Sequence, residues 1–206
     1  MIDKFCEFLT NKIRKELPDV DDERAEVIQY GIQIIIGEIP KILLLFIIGF
    51  LLGIGKLTLL TFALLLPYKS FSGGFHLKTH IGCIIMTPLI YCGTVFLSKY
   101  LFITNDIVHH LFILGVWIFG MIMVKLYAPA DTENVPIISK KERKKKKILS
   151  YIALTVLILL SIVIKDFVIS NICVYGALIQ SFCISRLAYI ITKNKYGYET
   201  YQKVPV

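Results

Sequence analysis

One polar stretch of the sequence, from Ser72 to Cys83, carries residue types that can do nucleophilic chemistry. It reads Ser-Gly-Gly-Phe-His-Leu-Lys-Thr-His-Ile-Gly-Cys and interrupts two strongly apolar segments. Within it, His76 precedes Cys83 by seven residues. A thiol becomes an effective nucleophile when a neighbouring base or positive charge favours the thiolate. We therefore interpret the stretch as a candidate active site with His76 and Cys83 as its catalytic pair.

The seven-residue spacing of His76 and Cys83 requires a bend between them if their side chains are to form a hydrogen bond. On a straight α-helix, residues seven apart share a face but are separated by about 10.5 Å along the axis. A hydrogen bond requires about 3 Å. Gly73, Gly74 and Gly82 permit bends, so we expect His76 on a loop that folds back over the start of the helix carrying Cys83. Gly73 and Gly74 are candidates for this bend or for the backbone of an oxyanion site.

Two other uses of the same residues remain open. His80 precedes Cys83 by three residues and is an alternative base, because positions i and i+3 are neighbours on a helix. His76, His80 and Cys83 together, at i, i+4 and i+7, have the ligand types that suit zinc or copper. The stretch lacks the glutamate of a His-Glu-x-x-His pattern and offers no obvious fourth ligand nearby. We therefore expect neither a metal nor another cofactor.

Composition indicates the class of protein that must position these residues. Of the 206 residues, 56% are hydrophobic and only 18% are charged, which predicts an integral membrane protein rather than a soluble domain. Much of the net charge of +8 comes from the run at 140–147, next to an apolar segment, so it favours a topology signal over nucleic-acid binding. The N-terminus lacks the pattern of a cleavable signal peptide, and five irregularly spaced cysteines do not predict a disulfide framework.

The hydrophobic pattern predicts an all-α membrane bundle of about six spans. They fall at 30–52, 57–66, 84–97, 107–126, 148–164 and 168–191, and the second is short unless it extends past Pro67 and Tyr68. If the second is re-entrant, four full spans and two partial ones result. Apolar residues at spacings of three and four predict an amphipathic interfacial helix within an N-terminal arm at 1–24. We expect a single domain with a catalytic loop at 68–83 and a lysine-rich loop at 127–147.

The distribution of lysine and arginine predicts the orientation of this bundle. The N-terminal arm, the catalytic loop, the run at 140–147 and the C-terminal tail are basic, whereas the opposite connections keep only Lys56, Lys99 and Lys165. The positive-inside rule therefore predicts cytoplasmic termini and a cytoplasmic catalytic loop. A cytoplasmic site also keeps a thiol reduced.

The motifs together resemble the AgrB family of accessory gene regulator membrane peptidases, which process quorum-sensing peptide precursors. The resemblance rests on the Gly-Gly-Phe-His76 element with Cys83 seven residues on, the Tyr-Ala-Pro-Ala-Asp…Pro-Ile loop at 127–137, the adjoining lysine cluster, the amphipathic N-terminus and the six-span layout. It covers essentially the whole chain. It implies that His76 and Cys83 are the catalytic pair and assigns no role to His80.

The resemblance implies a cysteine endopeptidase in the bacterial cell membrane. Its substrate would be an AgrD-like propeptide, cut near its C-terminal side through a thioester acyl-enzyme, and the retained part would close into a thiolactone or lactone ring. A homodimer is compatible with a small bundle, and a His76 supplied by a second chain would also satisfy the spacing.

Four further charged residues are candidate substrate-binding residues. Lys69 and Lys78 flank the site and either hold an acidic part of the propeptide or anchor the chain at the interface. Glu38 and Lys41 lie within the first apolar segment at i and i+3, where they form an internal ion pair or face the substrate. Such a polar pair would also fit a non-enzymatic transporter or sensor, although the sequence shows no internal repeat and no nucleotide-binding loop.

Overall fold

The computed structural model describes residues 2–16, 22–77, 79–101, 103, 105–132, 136–137 and 139–201, without the side chains at 2–7, 22–24, 26–27, 30, 33–34, 80 and 200–201. Within this part the chain is helical, and an isolated bridge joins Gly73 and Ala130. The helices are α1 (Ile2–Glu16), α2 (Asp22–Leu51), α3 (Gly55–Ser72), α4 (His80–Tyr100), α5 (Asp106–Tyr127), α6 (Lys140–Val163), α7 (Phe167–Cys183), α8 (Arg186–Ile191) and α9 (Gly197–Tyr201).

All six predicted apolar segments form helices, and the predicted all-α membrane bundle is confirmed. Among the described residues, α4, α5 and α6 are long and apolar enough to cross a membrane, and α7 is a shorter apolar helix. Several helices start at polar residues that cap them: Asn105, Ser139 and Asp166 each accept a hydrogen bond from a backbone N–H three residues on. Such caps satisfy amide groups that the first turn of a helix leaves unpaired.

Helix α3 follows the longer of the two alternatives for the second apolar segment and extends beyond 57–66. It continues through Pro67 to Ser72, since a proline costs one intrahelical hydrogen bond but does not forbid continuation inside a bundle. The extra turn is held by Tyr68, whose side chain is fully buried and whose Oη lies 2.9 Å from Ser181 Oγ on α7. The catalytic loop therefore begins at Gly73, closer to His76 than the sequence indicates.

The last predicted segment, 168–191, is two helices rather than one. α7 ends at Cys183 and α8 starts at Arg186. The break occurs at Ser185, whose Oγ accepts the Ala188 N–H at 3.3 Å and so caps α8. The end of α7 thereby leaves its last backbone carbonyls available to other parts of the chain.

The chain divides into two compact units, Met1–Leu44 and Leu45–Val206. In the first unit, Lys41 is buried and forms an ion pair with the half-exposed Glu38. In the second unit, α7 packs against α3, α4, α5 and α6. Glycines allow close approach: a Cβ on Gly176 would lie 2.5 Å from Leu65 of α3, and one on Gly120 of α5 would lie 2.7 Å from Leu154 of α6.

Candidate active site

The chain bends sharply where α3 ends and the catalytic loop begins. Gly73 has a φ of 76° and Gly74 a φ of 145°, in the region that favours glycine. A Cβ on Gly73 would lie only 2.3 Å from the carbonyl oxygen of Ala130. The N–H groups of both glycines are already bonded, to Lys69 O and to Ala130 O, each at 2.9 Å. These contacts favour the bend over an oxyanion role for the two glycine amides.

Two neighbouring segments hold the catalytic loop from Ser72 to Phe75. The proline-containing loop after α5 pairs with it as a short parallel bridge, in which Ala130 N–H donates to Ser72 O at 2.8 Å. The end of α7 holds it as well: Gln180 Nε2 donates to Ser72 Oγ at 2.9 Å and to Gly73 O at 2.8 Å. Phe75 N–H donates to the carbonyl of Cys183 at 3.4 Å. The loop is therefore fixed from both sides up to the residue before His76.

Cys83 lies in the first turn of α4, where its thiol contacts the backbone of Leu77. Leu77 N–H donates to Cys83 Sγ at 3.2 Å, and the thiol donates to Leu77 O at 3.4 Å. Thr79 caps the helix by accepting the Gly82 N–H at 3.1 Å. The fold-back required by the seven-residue spacing is present, because the residue next to His76 touches the cysteine sulfur.

Gly82 does not serve as a bend, although the sequence permits one there. It lies inside the first turn of α4, where a Cβ would come within 2.8 Å of Thr79 Oγ1 and 3.1 Å of the Leu77 side chain. Its missing side chain therefore leaves room for the cap and for the Leu77 contact with the sulfur.

His76 is exposed and borders a cleft of about 140 Å³. Gly74, Pro129, Asp131, Thr132 and Lys146 also line the cleft. The C-terminal tail reaches this position, because Asn194 Nδ2 donates to the carbonyl oxygen of His76 at 2.6 Å. The cleft is large enough for part of an extended peptide next to the histidine.

A buried ion pair holds the loop that borders the cleft. The side chain of Asp131 is 1% exposed, and its Oδ2 accepts from Arg143 Nη1 at 2.8 Å and from Ile137 N–H at 3.0 Å. Arg143 Nη2 also donates to Pro129 O at 3.3 Å. Because Asp131 follows Ala130 directly, this pair fixes the residue that bridges to the catalytic loop.

A tyrosine stack from the C-terminal tail packs against the same loop. Tyr189 Oη donates to Ala130 O at 3.0 Å, and its ring stacks on Tyr196 with centroids 3.9 Å apart. Tyr196 Oη in turn donates to the free carbonyl of Ile184 at 2.9 Å, after the end of α7. Burial raises the pKa of the Tyr196 phenol, so it stays protonated and keeps this hydrogen bond.

The other predicted site residues are distributed differently. Lys69 lies in the last turn of α3, with its Nζ 5.4 Å from the ring centroid of Tyr91 on α4. Glu38 and Lys41 pair with each other in the N-terminal unit. Lys78 and the side chain of His80 lie outside the described residues, so the roles considered for them stay predictions. Within the described part, no group of three His, Cys, Asp or Glu side chains could hold a metal ion.

Comparison with known sequences identifies the protein family. A model of the accessory gene regulator B (AgrB) family matches residues 6–184, which is most of the chain. The chain belongs to the AgrB family. An AgrB-like protein of Clostridium perfringens is 31% identical over 164 residues, covering 79% of this chain and 76% of the relative.

Other AgrB-like relatives cover even more of the chain. One from Clostridium acetobutylicum is 27% identical over 95% of this chain and 91% of its own length, and one from Listeria monocytogenes is 28% identical over 88% of both. No solved structure matches. Membership of the AgrB family gives this membrane protein a role in the agr quorum-sensing system and, in general terms, an AgrD-type propeptide as partner.

Three supports of the AgrB site were not predicted from the sequence. Gln180 and Asn194 are bonded to residues more than 100 positions away, and no local pattern signals such contacts. Asp131 is part of the Tyr-Ala-Pro-Ala-Asp motif, so the motif marked the right loop. Its pairing with Arg143 inside the lysine cluster was not anticipated.

Proposed function

We propose that this AgrB family member is a membrane-embedded cysteine endopeptidase. It cuts an AgrD-type propeptide and promotes cyclisation of the retained part, which is the quorum-sensing peptide. The observation that carries the proposal is the contact between the Cys83 sulfur and the backbone of Leu77, the residue after His76. This contact supports the pairing, because it joins the sulfur to the backbone next to His76, and the exposed His76 itself borders a cleft.

The first half of the reaction makes an acyl-enzyme. His76 accepts the thiol proton of Cys83, and the sulfur attacks the carbonyl carbon of the scissile peptide bond. The resulting tetrahedral intermediate collapses with cleavage of the C–N bond, and the imidazolium returns its proton to the departing amine. The products are a free C-terminal fragment and a thioester between the N-terminal part of the propeptide and Cys83.

The oxyanion of the intermediate requires N–H donors close to Cys83. Thr79 already takes the Gly82 N–H through its hydroxyl and the Cys83 N–H through its carbonyl, at 3.1 and 3.2 Å. The Ile81 amide in the same turn has no intrahelical acceptor, as in any first turn. We therefore assign the Ile81 amide as an oxyanion donor.

The second half closes the ring. A cysteine thiol or serine hydroxyl within the acylated peptide attacks the thioester carbonyl, gives its proton to His76 and expels the Cys83 thiolate, which is then reprotonated. The product is a thiolactone or a lactone. Water has to be kept from the thioester for this outcome, and bound propeptide lying over the cleft would exclude it.

The test is co-expression with a candidate AgrD-type propeptide, followed by mass spectrometry of the peptide products. Cys83→Ala and His76→Ala should each abolish cleavage while the protein still inserts into the membrane. Cys92→Ala is the matched control, because Cys92 is a buried cysteine on the same helix and should be dispensable. His80→Ala should retain much of the activity.

The alternatives give different results in the same experiment. Full cleavage by Cys83→Ala would exclude the proposed nucleophile. Loss of activity on chelation, with insensitivity to thiol alkylation, would indicate the metal site of His76, His80 and Cys83. Absence of any peptide product from the wild-type chain with its cognate precursor would favour a transporter or sensor. Recovery of cleavage on mixing the two inactive variants would show that His76 acts across a homodimer.

A further inference from the structure

An apolar groove runs along one side of the pair formed by α5 and α6. It has a volume of about 340 Å³ and is lined mainly by Trp117, Ile118, Met121, Ile122 and Tyr151. The four α5 residues recur at spacings of one turn, so they form a single face of that helix. Trp117 Nε1 donates to Thr155 Oγ1 of α6 at 3.3 Å, which ties the two helices together at the far end of the groove.

A basic pocket of about 390 Å³ adjoins the end of this groove. Its cationic lining residues are Arg143, Lys144 and Lys147, and Tyr127 and Tyr198 supply aromatic walls. The groove ends at Lys125 and the pocket begins at the next residue, Leu126. Lys147 Nζ donates to the carbonyl of Lys125 at 2.6 Å, so one lysine touches both cavities.

The charges of this pocket are only partly neutralised by the protein. Arg143 pairs with Asp131, and the nearby Lys146 pairs with Glu142 at 3.2 Å. Within the described part of the chain, Lys125, Lys144 and Lys147 have no carboxylate in ion-pair distance. The pocket therefore has a surplus of positive charge and ammonium groups with hydrogen-bond donors left over.

We propose that the groove and the pocket together bind one anionic phospholipid, with an acyl chain in the groove and the phosphate group at Lys144 and Lys147. The surplus positive charge of the pocket favours an anion, and the adjoining apolar groove favours an anion that carries an apolar chain. Basic pockets between membrane helices bind anionic head groups on this principle. The proposal is independent of the peptidase function.

The depth of the groove distinguishes a lipid from a peptide. Trp117 lies eight residues before Lys125 on α5, so the groove reaches roughly 12 Å along a membrane-spanning helix. An acyl chain has no polar groups to satisfy at that depth, whereas each unit of an extended peptide placed there would leave an N–H and a C=O without partners. The groove offers almost only apolar surface, with Lys125 at one end.

The test measures lipid retained by the full-length protein. The protein is incorporated into nanodiscs of equimolar phosphatidylcholine and phosphatidylglycerol, and native mass spectrometry after release counts each bound lipid. We expect selective retention of phosphatidylglycerol. The double variant Lys144→Gln with Lys147→Gln should lower the affinity for phosphatidylglycerol by roughly fivefold for each lysine removed. The matched control is Lys140→Gln with Lys141→Gln, which removes the same charge from the same run but lies outside the pocket, and it should retain the lipid.

A second pair of variants tests the groove. Ile118→Trp should fill the groove and reduce retention severalfold, whereas Leu111→Trp, at an exposed position of α5 outside the groove, should not. If both lysine double variants lost phosphatidylglycerol equally, the total charge of the run and not the pocket would bind the lipid. If phosphatidylcholine were retained as well as phosphatidylglycerol, only apolar contact would be involved. Either result would overturn the proposal. Displacement by soluble glycerol phosphate as readily as by phosphatidylglycerol would assign the pocket to free phosphate instead. Unchanged lipid retention in the Lys144 and Lys147 variant with loss of propeptide binding would assign it to the peptide.

Discussion

Asn194 shows how the position of the proposed catalytic histidine depends on a distant part of the chain. Its Nδ2 reaches the carbonyl oxygen of His76, while its own backbone N–H is bonded to Tyr189 O at 2.9 Å. Asn194 does not touch the imidazole through this bond; it fixes the peptide group from which the imidazole extends. We therefore expect it to act as a positioning residue.

Asn194→Ala should lower kcat by roughly three- to tenfold and leave KM nearly unchanged, because the hydrogen bond to the His76 carbonyl is lost together with the local bonds to Thr192. The measurement is steady-state cleavage of the propeptide in proteoliposomes. Asn194→Asp keeps the size of the side chain but removes the donor, so it should be at least as slow as the alanine variant. Activity of the aspartate variant at the wild-type level would show that only side-chain volume matters. Lys195→Ala, at an exposed neighbour, serves as the control.

At the scale of elements, the loop after α5 determines where the catalytic loop lies. It bridges to Gly73 through Ala130 and is itself held by the Asp131 and Arg143 pair and by Tyr189. A buried ion pair contributes little in excess of its desolvation cost, but removal of one partner leaves the other uncompensated. The loop should therefore be sensitive to the loss of Asp131 and tolerant of changes at exposed charges nearby.

Asp131→Ala should destabilise the protein by about 3 kcal/mol or more, since Arg143 and the Ile137 N–H both lose their acceptor. Thermal unfolding in detergent measures this, and cleavage should fall at temperatures well below the transition as the bridge loosens. Glu142→Ala breaks an exposed i,i+4 pair on the same helix and should cost at most about 0.5 kcal/mol. Comparable losses in the two variants would contradict the special role of the buried pair.

The sequence predicts the elements of this protein better than their ends and their contacts. The six apolar helices follow from hydrophobic runs, and the bend at Gly73 and Gly74 follows from the His76 to Cys83 spacing. The sequence leaves open whether α3 continues past Pro67, and the burial of Tyr68 against α7, which is not visible in the sequence, favours the continuation. The break at Ser185 has a local signal, but a single serine in an apolar run is too weak to predict a helix start.

Contacts that support the site were unpredictable for a related reason. Arg143 stands in a run of seven cations, and nothing local distinguishes the one that meets Asp131 from those that face solvent or lipid. Gln180 and Asn194 depend on the meeting of segments far apart in the chain. Side-chain type and spacing carry information about a single helix or turn, whereas these bonds depend on how several helices pack.

At the scale of the whole molecule, the distribution of charge predicts which side of the membrane the site faces. Lysine and arginine lie mainly on the connections that would share the cytoplasm with the catalytic loop. In the described part of the chain, Cys92, Cys173 and Cys183 are buried and Cys83 is partly accessible. The topology can therefore be read from the reactivity of one thiol.

A variant that keeps Cys83 as its sole cysteine should react with a membrane-impermeant maleimide in inverted membrane vesicles and not in intact cells. The measurement is labelling followed by gel-shift analysis, with permeabilised cells as the positive control. Labelling from the outside of intact cells would invert the predicted topology. The control variant with Cys83→Ala in the same background should remain unlabelled throughout.

The paired hydrogen bonds between Leu77 and Cys83 have a consequence for how the protein chooses its substrate. In the protein without substrate, the Cys83 sulfur is already bonded to the backbone of Leu77. The Leu77 backbone therefore competes with the scissile peptide bond of the substrate for the position next to the sulfur. A thiolate loses the bond to Leu77 O, so an incoming carbonyl must bring enough binding energy from elsewhere to displace that segment.

Only a substrate that also binds at surfaces away from the cleavage site can supply this binding energy, so unrelated peptides should not be cut. A short peptide spanning only the cleavage site should therefore be cut with a much lower kcat than the full propeptide, even at saturation. Equal kcat values for the two substrates would show that Leu77 moves aside without any contribution from remote binding.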